Sequence, residues 1–129
     1  MLPFSIALRS GLPIHDQVVY AVTRAVVTGQ MRPGDAFPSV RALSQELKIN
    51  PNTAHKIVAT LTAEGLLDVR PGIGTVVSHG SYEAGEDRRG SIEGDVERLV
   101  IQSRRAGLTL QDVLTTVRRY WSKTIRRAG

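Results

Sequence analysis

The stretch Ser78-His79-Gly80-Ser81-Tyr82-Glu83-Ala84-Gly85-Glu86-Asp87-Arg88-Arg89-Gly90 does most to limit what this chain can build. It holds three glycines, five charged side chains and almost no apolar residue, the composition of a flexible linker. It divides the 129 residues into a body at 11–79, a linker at 80–90 and a tail at 91–129. The body is long enough for one small core; the tail of roughly 39 residues is too short to form a further domain of a hundred residues or more. Hydrophobic residues make up 41% and aromatics only 5%, so the core has to come from Val, Leu, Ile and Ala. The chain has no cysteine. Disulfides, thiolate zinc sites and cysteine nucleophiles are therefore excluded, and a reducing, cytoplasmic setting is expected. The opening residues MLPFSIALRS lack the pattern of a signal peptide, and no apolar run approaches the ~18 residues of a membrane span. No membrane partner is expected.

Within the body, Pro13 reads as the first residue of a helix. Val18, Val19, Val22, Ala25 and Val26 recur at helical spacing up to Thr28, and Gly29 stops the run. A Pro33-Gly34 turn follows. Ser39 is placed to cap a second, short helix whose apolar side is Val40, Leu43 and Leu47. Asn50-Pro51-Asn52-Thr53 is a stronger start signal, a capping Asn before a proline at the first helical position. That third helix runs to about Glu64, with Ala54, Ile57, Val58 and Leu61 as its buried stripe. Leu66–Arg70 and Thr75–Val77 are β-prone, and Pro71-Gly72-Ile73-Gly74 turns between them. The order is helix, helix, helix, hairpin.

The tail reads as two helices. Ile92, Val96, Leu99 and Val100 share one face of the first, which ends near Ala106-Gly107. Thr109-Leu110-Gln111-Asp112 has the form of a capping box with Asp in the Glu position. It leads into a seam at Leu110, Val113, Leu114, Val117, Tyr120, Trp121 and Ile125. Arg118, Arg119, Lys123, Arg126 and Arg127 lie off that seam.

Two short helices joined by Leu47-Lys48-Ile49-Asn50 make a helix-turn-helix at about 39–58, and the hairpin at about 66–78 makes its wing. The fold class expected is mainly α with a small β-hairpin: a winged helix-turn-helix followed by a two-helix C-terminal tail. In this order the third helix suits the DNA major groove, with its N-terminal donors turned to a phosphate. Candidate DNA-contacting residues are Ser39, Arg41, Asn50, Asn52, Thr53, His55, Lys56 and Gly72. Asn pairs bidentately with adenine, Thr and His bond base edges or phosphates, and Lys suits guanine or phosphate.

The span from Pro13 to Ser78 resembles the DNA-binding domain of the GntR family of bacterial transcription regulators. The resemblance is carried by Pro13-Ile14 with Gln17, then Gly29, Pro33-Gly34-Asp35 and Pro38-Ser39-Val40-Arg41. It continues through Asn50-Pro51-Asn52-Thr53, Leu61 with Glu64-Gly65-Leu66, and Gly72-Ile73-Gly74-Thr75. It implies that Arg41 contacts DNA, that Asn50, Asn52, Thr53 and His55 face the groove, and that Gly72, at the wing tip, approaches the minor groove. The chain departs from the family pattern at Ala42, where a Glu commonly closes a box with Ser39, and at Asp16, Lys56 and Val76-Val77. Base preference is therefore not transferable.

The short tail is similar to that of the YtrA-like subfamily, which implies a homodimer. Val96, Leu99, Leu110, Val113, Leu114, Val117, Tyr120 and Trp121 are the candidate dimerisation residues, since a seam with so little to cover it locally is buried by a second copy. A cap folded back on the chain's own body is the other option. The resemblance implies a homodimeric repressor of an inverted-repeat operator in double-stranded DNA, its operon linked to an ABC-type transporter. Any small-molecule effector has no pocket defined by the sequence. His15, His55 and His79 lack ligand partners at metal spacing, and Ser39 and Ser44 lack a base. Gly72-Ile73-Gly74 falls inside a hairpin rather than after a strand. Neither an enzyme, a metal nor a cofactor is expected. The alternative is a helical adaptor, or an architectural protein that binds DNA without operator specificity.

Overall fold

The computed structural model of the chain describes residues 1–79 and 86–124. In the first of two compact units, α1 spans Ile14–Val27, α2 Val40–Leu47 and α3 Pro51–Ala63, followed by β1 at Leu67–Arg70 and β2 at Gly74–Val77. The strands pair antiparallel, with Leu67 opposite Val77 and Arg70 opposite Gly74.

Helix ends follow the local chemistry. Pro13 is the cap of α1 rather than its first residue. Ser39 Oγ accepts the Ala42 N–H at 3.1 Å, and Asn50 Oδ1 accepts the Asn52 N–H at 2.7 Å. At the end of α3, Gly65 takes φ +80°. Its N–H bonds the Thr62 carbonyl and that of Leu66 the Leu61 carbonyl, a Schellman motif that turns the chain into β1.

Val18, Val22, Ala25, Leu43, Ala54, Ile57, Leu61, Leu67 and Val77 are buried together, so the helical stripes converge on one core. Val19, Val26, Val40, Leu47 and Val58 pack only partly buried at its edge.

Two contributions lie outside the sequence reading. Phe4, ahead of a body read as starting at residue 11, is buried and stacks on Phe37. The segment Gly34–Phe37, which follows the Pro33-Gly34 turn and carries no strand signal in the sequence, pairs with β2 as an extra edge: Gly34 and Phe37 donate to the Val77 and Thr75 carbonyls at 2.8 Å, and Ala36 bridges Val76.

In the second unit, α4 spans Glu86–Arg105 and α5 Leu110–Thr124. Helix α4 begins inside the stretch read as linker, so Glu86–Gly90 are helical despite the glycine. Four of those five residues are charged and suit a solvated helix as well as a loop. Residues 80–85 of the linker, and Ile125, Arg126 and Arg127, lie outside the described residues. Between the helices Gly107 takes φ +77°. Its N–H bonds Arg104 and that of Leu108 bonds Ser103, a second Schellman motif. Thr109 and Asp112 then cap α5 reciprocally. The Thr109 N–H donates to Asp112 Oδ2 at 2.9 Å and the Asp112 N–H to Thr109 Oγ1 at 3.1 Å.

Among the described residues, no helix is long and apolar enough to cross a membrane.

Candidate nucleic-acid interface

The turn between α2 and α3 is set by Lys48, at φ +55° and ψ +48°, a left-handed conformation most side chains avoid. The Ile49 N–H reaches the Ser44 carbonyl at 3.0 Å and Ile49 packs on the core edge. Ser44 is buried with its hydroxyl donating to the Arg41 carbonyl at 2.9 Å, so it serves the turn rather than any chemistry. The turn is therefore stiff and fixes where α3 starts relative to α2.

On α3, Ala54, Ile57 and Leu61 face the core and are fully buried. Asn52, His55, Lys56 and Ala59 form the exposed stripe, at i, i+3, i+4 and i+7. Thr53 is half-buried beside it. A helix whose outer face carries an amide, an imidazole and an ammonium offers donors and acceptors for base edges and phosphates.

The helix N-terminus offers a phosphate fewer donors than the helix-turn-helix order alone implies. Pro51 has no N–H, and the Asn52 N–H is taken by Asn50, leaving the Thr53 N–H in the first turn. The same bond commits Asn50 Oδ1. The cap uses one lone pair of that oxygen and fixes the Asn50 side chain against the helix start, whereas Asn52, exposed and not used as a cap, is not held by such a bond.

Ser39 and Arg41 are exposed at the start of α2. Among the described residues, Arg41 has no carboxylate within ion-pairing distance. At the wing, the Ile73 N–H bonds the Arg70 carbonyl at 3.0 Å, with Pro71 and then Gly72 at φ +78° between. Pro followed by a positive-φ glycine is the type II turn. A Cβ on Gly72 would meet nothing within 4 Å, so the glycine is required by backbone conformation and the tip stands clear of the body.

In the tail, Val96, Leu99, Leu110, Val117, Tyr120 and Trp121 are exposed, while Val113 and Leu114 are half-buried near the turn. Trp121 is 68% exposed and Leu110 71%, so α4 and α5 do not cover each other's apolar faces.

The sequence reading missed Gln17 as a structural residue, although it was a landmark. Its side chain bonds the Arg9 N–H and the carbonyls of Arg9 and Leu12. His15 was weighed only as a ligand; its Nε2 lies 2.9 Å from Thr60 Oγ1, joining α1 to α3.

The model of the bacterial regulatory proteins of the gntR family matches residues 14–77. The chain is 33% identical to the HTH-type transcriptional repressor YtrA of Bacillus subtilis (strain 168), over 80% of each chain. Its fold is similar to that of a transcriptional antiterminator from Listeria monocytogenes EGD-e, with a TM-score of 0.84 at 20% identity, covering 98% of this chain and 95% of that one. The body alone is similar to the AraR DNA-binding domain crystallised with operator ORX1, with a TM-score of 0.51 at 24% identity over 57% of this chain and 95% of that one. These relatives are regulators rather than enzymes. The chain belongs to the GntR family: it is a transcriptional regulator with a winged helix-turn-helix DNA-binding domain.

Proposed function

We propose that the protein is a homodimeric repressor that binds an inverted-repeat operator, with α3 in the major groove, the wing beside it and the tail helices joining two copies. The observation that carries the DNA-reading part is the polar stripe Asn52, His55 and Lys56, exposed along the outer face of a helix whose inner face is locked into the core. Ser39, Arg41, the NH2 group of Asn50, Thr53 and Gly72 contribute around that stripe. Two such helices in a twofold dimer meet successive major grooves about 34 Å apart.

The dimer reading is supported by the apolar faces of α4 and α5, which remain exposed within one copy. Two amphipathic helices of this length are marginal alone and gain stability by burying those faces. Val96, Leu99, Leu110, Val113, Leu114, Val117, Tyr120 and Trp121 would form the joint. YtrA of Bacillus subtilis, to which the chain is similar, is a repressor, and the AraR DNA-binding domain forms a complex with operator ORX1; both accord with repression through operator occupancy.

The test is a gel shift on the region upstream of the protein's own gene, with a salt titration and non-specific competitor. A discrete complex that survives competitor and weakens steeply with salt is expected. Equal binding to any duplex would replace the repressor by an architectural role. No shift at low salt would overturn the operator reading.

A further inference from the structure

We propose that the cleft between the N-terminal arm and α1 binds a small organic carboxylate with an apolar body. This site is separate from the α3 stripe and does not depend on the operator reading. Residues 1–12 form an arm pinned along its length: the Met1 ammonium pairs with Glu46, and Leu2 and Ile6 pack on the core edge. Phe4 is buried against Phe37, and the Gln17 carboxamide grips the far end: Oε1 accepts the Arg9 N–H at 2.8 Å, and Nε2 donates to the Arg9 and Leu12 carbonyls at 2.9 and 3.0 Å. Three hydrogen bonds from one side chain hold the loop in one shape, so the space under it is preformed and little ordering is needed on binding.

That space is a cavity of about 540 Å³, within the ~300–1,000 Å³ range of small-molecule sites. Its floor is one face of α1, where Tyr20 and Arg24 follow Gln17 at helical spacing, and Ile6 and Leu12 of the arm give an apolar wall. Arg9 and Arg24 both line it. Among the described residues neither guanidinium has a carboxylate within ion-pairing distance. Asp16, which also lines the cleft, is engaged by His15 Nδ1 at 3.1 Å. Two cations face one anion, so the cleft asks for a negative charge. A carboxylate matches the guanidinium fork with two parallel hydrogen bonds. The ring of Tyr20, 69% exposed, offers an apolar surface for the ligand's body.

The probes are phenylacetate and its neutral counterpart 2-phenylethanol, titrated into the isotopically labelled full chain. Amide shifts locate the site and calorimetry gives the affinity. Phenylacetate is expected to bind saturably, shifting the amides of Gln17, Tyr20, Arg24 and residues 5–9. The alcohol is expected to bind roughly tenfold more weakly or worse, since it cannot make the charge-assisted bonds. Arg24→Gln and Arg9→Gln should each weaken phenylacetate by a similar factor. Both positions are exposed, and an unchanged circular dichroism spectrum shows that the variants fold. No saturable binding up to about 10 mM, where even weak millimolar binding registers, would overturn the proposal. So would equal binding of the two probes, shifts centred elsewhere, or an Arg24→Gln variant that binds phenylacetate as the parent does.

Discussion

Phe4 lies parallel to Phe37, with ring centroids 6.0 Å apart and planes within 6°. The contact ties the start of the chain to the segment that pairs with β2, so the arm is part of the core rather than a loose leader. Phe4→Ala removes a buried ring and leaves its partner with a void. A loss of about 3 kcal/mol is expected, in the usual range for Phe-to-Ala in a core, read as a lowered denaturant midpoint with an unchanged slope. A variant as stable as the parent would show that the arm adds nothing to the fold.

Lys48 holds the helix-turn-helix turn in a left-handed conformation, where glycine is the least strained residue. Lys48→Gly should therefore stabilise the body by up to about 1 kcal/mol, reduced by the extra freedom glycine gives the unfolded chain. Lys48→Val should do the reverse by about 1 kcal/mol or more, because a branched Cβ clashes at positive φ. Thermal melts of the pair check the sign. Equal melting temperatures would mean that this backbone conformation relaxes at no cost.

Asp112 accepts the Thr109 backbone N–H and a bond from the Thr109 hydroxyl, and these bonds, the backbone one first, hold its carboxyl below the ordinary value of 3.8. A depressed carboxylate stabilises the folded state above its unfolded pKa and loses that contribution as pH falls through the lower folded value. The effect of Asp112→Ala on tail helicity should therefore be constant from pH 7 down to about 5 and fade below 3.8. Circular dichroism of both chains across that range measures it. A difference that fades near neutral pH would assign the effect to another group.

Much of the body was legible because its signals are local. The Asn50-Pro51 start, the Gly65 stop and the Pro71-Gly72 turn each depend on a few neighbouring residues, and the buried positions of α3 follow from a period of 3.6. What escaped was non-local. Nothing near Phe4 in sequence reveals Phe37, and nothing near Ala36 reveals Val76, because edge pairing is decided by the strand already in place. At the candidate site the stripe Asn52, His55 and Lys56 was readable from spacing. The Asn50 cap and the missing donor of Pro51 were readable too; that the cap is made to the Asn52 N–H, leaving the Thr53 N–H for a phosphate, emerges only when the hydrogen bond is assigned. The helical start at Glu86 was hidden by composition, since charged residues serve a solvated helix and a loop equally well.

Val117, 42% exposed on α5 within one copy, lies in the middle of the proposed joint. Val117→Asp should leave the body folded and raise the dimer dissociation constant by about a hundredfold or more, since a carboxylate buried in an apolar seam costs several kcal/mol. Sedimentation velocity against concentration measures this. Gln45→Asp, an exposed change on α2, is the control that keeps added charge separate from seam disruption. A Val117→Asp chain that stays a full-strength dimer would move the joint away from the tail.

Asn52 and Lys56 share the exposed stripe of α3, yet their chemistry divides the work between them. An amide with both its donor and acceptor available reads a base edge, whereas an ammonium adds mainly a charge against phosphate. Asn52→Ala should then cost about 1–3 kcal/mol on the selected operator and little on unrelated DNA, narrowing the gap between the two. Lys56→Ala should weaken both about equally and flatten the dependence of log affinity on log salt by about one unit. Operators selected from a random duplex pool, followed by titrations at several salt concentrations, separate the two patterns. If Asn52→Ala weakened all duplexes alike, the amide would be acting on the backbone, and specificity would have to come from His55 or from the wing.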